Sequence, residues 1–225
     1  MTRRKTRTAG RWLSATAAFI ALTAVACGSA SAANSTPDEA FAVRDDRPEI
    51  VLDISLYLLV DDEAAPSASI SSHRDVDDLR RVLDGMNEIW SQAGIKLKAR
   101  FIGPAVMPDR TLQGIARGDT SAFFTADGGH AALREPSLIN GFYARQIGAV
   151  NGFAPPGARS FFVTDNPSVH DRRVSSHEVG HILGLHHALE DPDRLMFSGT
   201  NGMTLTEDEI TVVRHAAAGI LNGVR

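Results

Sequence analysis

Cysteine is almost missing from this chain: Cys27 is the one thiol in 225 residues, so no intramolecular disulfide can form and the fold must rest on packing alone. Long apolar runs are missing too. The uncharged stretch from Trp12 to Ala26 falls short of the roughly 20 apolar residues that span a bilayer. Acidic residues are absent ahead of that stretch, where Arg3, Arg4, Lys5, Arg7 and Arg11 stand. A basic start followed by a short apolar run is the pattern of a bacterial-type export signal. Setting those five aside leaves 18 of the 23 Lys+Arg against 27 Asp+Glu, so the remainder carries 18 − 27 = −9 formal charge. Such an acidic body disfavours nucleic acid as a partner. With 43% hydrophobic and 22% charged residues, the chain is neither a disordered nor a coiled-coil sequence but an ordinary globular one.

The place of Cys27, in Ala24-Val25-Ala26-Cys27-Gly28-Ser29, resembles the lipobox of bacterial lipoproteins, in which the thiol is acylated and becomes the new N-terminus. A cut after Ala30-Ser31-Ala32 is the alternative and would release a soluble protein without Cys27. Both routes place the protein outside the cytoplasm, on the cell surface or secreted. Residues 1–27 are thus expected to be the signal peptide, 28–47 an Ala-, Ser-, Asp- and Pro-rich tether, and 48–225 one folded domain. A membrane is expected as a partner only through that lipid.

Ile50 to Val60 (IVLDISLYLLV) is almost continuously apolar, which suits a strand covered on both faces. Val76, Leu79, Leu83, Met86 and Trp90 recur at helical spacing, and Gly94 can end that helix. Strict alternation follows, with Ile95, Leu97, Ala99 and Phe101 on one face and Lys96, Lys98 and Arg100 on the other. Strand, long helix, strand is a βαβ unit with parallel pairing. Residues 103–135 read mostly as loop, with Ala122 to Thr125 the one strand candidate. Further extended pieces are expected within 138–153 and at Ser160 to Thr164. A helix from Asp171, its expected cap, runs to about Leu183. Thr206 to Glu209 forms a capping box ahead of a last helix with Ile210, Val213, Ala217 and Ile220 inward.

The chemistry is concentrated in His177-Glu178-Val179-Gly180-His181-Ile182-Leu183-Gly184-Leu185-His186-His187, which fits H-E-x-x-H-x-x-G-x-x-H. On a helix, His177 and His181 are one turn apart and can share one zinc at about 2.0–2.1 Å. Were the helix to continue, residue 187 would lie about 15 Å beyond residue 177, out of reach of the same ion. Gly184 offers the remedy, a left-handed residue that stops the helix and turns the chain back. His187 then completes three ligands. His186 is its neighbour and competitor, and the spacing favours His187. Three histidines leave a fourth position for water, as in catalytic rather than structural zinc sites. Glu178 is placed to take a proton from that water and pass it to a leaving amine.

These residues, followed by Leu195-Met196, resemble the metzincin clan of zinc endopeptidases, whose pattern ends in a methionine-containing turn. The resemblance implies an α/β (α+β) catalytic domain: a twisted, mostly parallel sheet with one antiparallel edge strand, a long backing helix, the active-site helix, the Met-turn and a C-terminal helix. It implies that His177, His181 and His187 bind one Zn2+, that Glu178 is the acid/base, and that Met196 lies in the apolar floor under the metal. Ala188 and Ser198 depart from the astacin-like and serralysin-like patterns, leaving a matrixin-like or reprolysin-like bacterial member. No cysteine switch is available for latency. A substrate polypeptide is expected to lie along the antiparallel edge strand, placed within Gly141 to Phe153. Asp119, Asp127, Asp165 and Asp171 sit in loops where related enzymes often hold Ca2+, although ordinary turn and cap roles account for them. Two other functions compete: a catalytically silent zinc-binding surface protein that docks a partner, marked by loss of Glu178 or a ligand, and an exopeptidase or amidase, which would need a charge at a closed cleft end that Arg145 or Arg159 could supply, although solvated arginines account for both. Glu178 is retained, so the expected protein is a monomeric exported endopeptidase.

Overall fold

The computed structural model describes residues 47–125, 129, 133 and 137–223. By its contacts the chain divides into Met1–Asn34 and Ser35–Arg225, and every described residue belongs to the second unit. The expected signal, Cys27, nearly all of the tether and Asp127 therefore lie outside the described residues. No helix among those described is long and apolar enough to cross a membrane.

Five strands form one sheet in the order β2-β1-β3-β5-β4. They are β1 (Ile50–Val60), β2 (Ile95–Val106), β3 (Ile139–Ala144), β4 (Gly152–Phe153) and β5 (Ser160–Thr164). All pairs are parallel except β4 with β5, so the fold is the expected mixed α/β one with a single antiparallel edge. β1 is almost continuously apolar because both of its faces are covered from Ile54 onward. Leu52, Ile54, Leu56 and Leu58 point into one core with helices α1 (Val76–Trp90), α3 (Asp171–Ile182) and α4 (Glu207–Leu221), while Tyr57 and Leu59 point into a second. Helix α1 starts at a capping box between Asp75 and Asp78 and buries Leu79, Val82, Leu83, Met86, Ile89 and Trp90. Each such side chain contributes on the order of 1.5–3 kcal/mol on burial. A 3-10 turn at Ser91–Ala93 and the left-handed Gly94 (φ 60°) end it as expected.

Three expectations are corrected. Phe101 does not share the face of Ile95 and Leu97: β1 and β2 slip register so that Ile54 faces Ala99 and Ser55 faces Phe101. Arg100 is the extra residue of a bulge, and a one-residue insertion flips every later side chain to the opposite face. Phe101 accordingly packs on Tyr57 at 5.3 Å, and β2 runs on to Val106. The segment read as loop holds helix α2 (Asp109–Ala116), whose Leu112 and Ile115 reach the second core. Ala122 to Thr125 is no strand but a 3-10 turn over Ser121–Phe124, which drives Phe123 edge-on against Phe142 and Phe162. Short apolar runs cannot distinguish these alternatives by period.

Candidate metal centre

Helix α3 buries an unusual run of polar side chains: Arg173, Ser175, Ser176, His177 and Glu178 are all at most 5% exposed. Its start differs from expectation. His170 is the N-cap and makes no side-chain cap bond, whereas Asp171 is the first helical residue, ion-paired to Arg74 at 2.9 Å. Asp165 accepts from the Ser72 hydroxyl and the His73 N–H, and Asp119 accepts from the Ser121 N–H and hydroxyl. These carboxylates do the work of turns and ion pairs. Among the described residues, one cluster alone has metal-ligand geometry, and it is His177, His181 and His187.

Gly184 makes that cluster. Its φ of 89° ends α3, the Leu185 N–H returns to the Gly180 carbonyl at 2.9 Å, and the chain doubles back so that His187 faces the helix. Nε2 of His187 then lies 3.2 Å from Nε2 of both His177 and His181. Ligands about 2.0–2.1 Å from a tetrahedral ion are about 3.3 Å apart, so the spacing fits zinc. Tautomers fit as well. Nδ1 of His177 is 2.8 Å from the Leu195 carbonyl and Nδ1 of His181 is 2.9 Å from the Leu185 carbonyl. A carbonyl can only accept, so each Nδ1 carries the proton and each Nε2 turns a bare lone pair inward. His186 is exposed and outside the cluster.

Met196 is fully buried beneath α3, and Gly180 is what lets it in: a Cβ there would sit 2.6 Å from its sulfur. The Met196 carbonyl accepts from the Ala188 N–H at 2.9 Å, tying the turn to the residue after His187. Sequence reasoning missed Arg173, one turn before His177. Its Nη2 donates to the Leu195 carbonyl at 2.9 Å and to the Phe197 carbonyl. The available signal was a third polar residue on the ligand face of the helix, at i−4 from His177.

Glu178 faces the edge strand. Burial pushes its carboxyl up to about 8, against the lowering effects of the Arg173 charge and the Ala154 N–H that it accepts. Burial likewise pushes His177 down to about 3, and His181 down. The signs give opposite pH effects on the metal-free fold. The raised Glu178 contributes stability that is complete below pH 4.5 and lost as pH rises through about 8, and the depressed His177 contributes stability present above 6.5 and lost toward about 3. Glu178→Gln is therefore expected to raise the Tm of chelator-treated protein at pH 9, on the order of 10 °C, and to leave it nearly unchanged at pH 4.5. Melting curves across pH check this, and equal gains at both pH values would contradict it.

The edge strand was placed within Gly141 to Phe153, and β4 lies at its far end. A Cβ on Gly152 would stand 2.7 Å from Glu178 Oε1 and 2.7 Å from Val174 Cγ1. A cleft of about 1440 Å³ opens here, lined among others by Gly152, the three histidines, Ser198 and His215 of α4. Arg159 lines it and Arg145 does not, its guanidinium being bonded to His73 Nδ1 at 2.8 Å. Gly152→Ala is expected to displace Glu178 and lower any hydrolytic turnover by about 10²-fold with zinc content unchanged. Turnover and metal analysis on the same sample decide it.

No family model matches the chain, and no curated protein matches it. Solved structures do resemble it. A chain in the structure of a chaperone-substrate complex aligns over 79% of this chain at 14% identity with a TM-score of 0.55. The alignment covers 35% of that chain, so this protein spans about a third of its length. The crystal structure of archaemetzincin from Methanopyrus kandleri aligns over 77% of this chain and 99% of its own, at 15% identity and a TM-score of 0.48. At such identities the first likeness is one of fold.

Proposed function

We propose that the protein is a zinc-dependent endopeptidase of the metzincin type, matrixin-like or reprolysin-like, that is exported and acts on proteins outside the cytoplasm. The observation that carries this reading is the convergence of three imidazoles, with Nε2 of His187 3.2 Å from Nε2 of both His177 and His181, beside a buried carboxyl and an antiparallel edge. His177, His181 and His187 hold the metal. A zinc ion held there would supply a Lewis acid for the attack of water on a peptide carbonyl.

The chain's own groups do the rest. With a dication held by the neighbouring imidazoles Glu178 would be ionised, and its carboxylate then takes a proton and returns it to the leaving amine, work that typically contributes about 10²–10⁴-fold. The Ala154 N–H holds that carboxylate against the edge strand. An extended substrate pairs main chain to main chain with β4, as peptides commonly add to an exposed sheet edge. Leu195 and Leu185 lend carbonyls that keep the ligands in the tautomer with Nε2 free. The apolar residues under α3, Met196 among them, keep water from beneath the site. The chain works as a monomer, joined to a membrane only if Cys27 is acylated.

The test is digestion of a mixed peptide library by residues 33–225, with 1,10-phenanthroline and Glu178→Ala as controls, read by mass spectrometry. Internal cuts that vanish in both controls are expected. A folded, zinc-loaded protein that makes no cuts would overturn the endopeptidase assignment, and cuts confined to peptide termini would make it an exopeptidase.

A further inference from the structure

We infer that Arg173 is a positioning residue, which fixes the turn at Leu195, Met196 and Phe197 and through it the relative placement of His177 and His187. The inference rests on the zinc site proposed above. Both carbonyls that Arg173 reaches, those of Leu195 and Phe197, are reached by the same Nη2 amino group. Two protons of one rigid, planar group thus span two acceptors two residues apart, which sets the curvature of the turn between them.

Two carbonyls of that turn support ligands. The Leu195 carbonyl holds Nδ1 of His177 at 2.8 Å, and the Met196 carbonyl holds the N–H of Ala188, the residue after His187, at 2.9 Å. His181 is anchored separately, to Leu185 within its own helix end. Two of the three ligands therefore depend on one turn, and the turn depends on Arg173.

Stability does not explain the residue. A guanidinium 4% exposed, with its Nε lacking a hydrogen-bond partner among the described residues, bears a desolvation cost that offsets what its two hydrogen bonds contribute. Its charge favours the ionised form of Glu178, but toward a bound dication that charge is repulsive and opposes metal binding. Removal of the charge alone would tighten zinc. Loss of the turn's geometry would loosen it, since partners of ligating histidines are typically worth about 10–100-fold in affinity. The sign of the change therefore separates the two effects.

The test uses the full chain. Zinc dissociation constants are measured by chelator competition for wild type, Arg173→Met and Arg173→Lys, beside 15N NMR of the imidazoles and thermal melting of the metal-free proteins. Arg173→Met is expected to bind zinc about 10–100-fold more weakly, with His177 spread over both tautomers and a melting point near wild type. Arg173→Lys, which keeps a charged donor without the planar fork, is expected to fall between, at least about three-fold weaker than wild type. Unchanged or tighter zinc binding by a folded variant would overturn the inference, as would an unchanged His177 tautomer. If Arg173→Met does not fold, Arg173→Lys decides on the same criteria. A wild-type chain that fails to bind zinc would instead sink the proposed function, and the imidazole spectra of the metal-free variants would still decide the role of Arg173.

Discussion

Replacing Glu178 by alanine is expected to cut peptide hydrolysis by about 10²–10⁴-fold while leaving zinc affinity close to wild type. The two effects separate because Glu178 is no part of the imidazole cluster: its carboxyl lies toward Gly152 and Ala154, whereas the three Nε2 atoms face one another. Truncation removes the proton acceptor without touching a ligand or the carbonyl behind it. Turnover on a peptide found by library digestion, paired with chelator competition, is the measurement. Full activity in pure Glu178→Ala would remove the residue from the mechanism, and loss of zinc would make its role structural.

His181→Ala has a different signature, losing activity and metal together. Its imidazole supplies one of three nitrogens, and the two that remain, on His177 and His187, leave an incomplete set. Any species that binds only the folded chain stabilises it by about 4.1 kcal/mol at a thousand-fold excess over Kd. For a domain of this size that corresponds to a rise in Tm on the order of 10 °C. Wild type should show that rise on zinc addition and His181→Ala should show little of it, while their melts in chelator stay comparable. An equal zinc-induced rise in both proteins would rule His181 out as a ligand.

How much of this was legible in the sequence depends on what each element answers to. The convergence of His177, His181 and His187 was legible because a one-turn helical spacing places the first two on one face, and a glycine at 184 is the residue type that turns the chain back there without strain. β1 and α1 were legible because their patterns are long. The second half of β2 was not, since the bulge at Arg100 inverts the alternation that identifies a strand. Helix α2 is short and carries Gly114, which together blunt its period. Arg173 escaped because its partners are main-chain carbonyls of residues 195 and 197, which no side-chain pattern advertises. The same holds for the Ala154 N–H on Glu178.

The two borders of the sheet differ in a way that bears on self-association. β2 is the long border, twelve residues, and it shows Lys96, Lys98 and Arg100 to solvent and carries Pro104, which has no N–H to offer. Cations and proline are what keep a flat edge from recruiting a neighbour's strand. β4 is the short border, two residues, without such guards. The guarded border is thus the long one, and the unguarded border is the brief one whose Gly152 lies against Glu178. Brevity there also limits what any extended chain could gain by main-chain pairing at that border to very few hydrogen bonds.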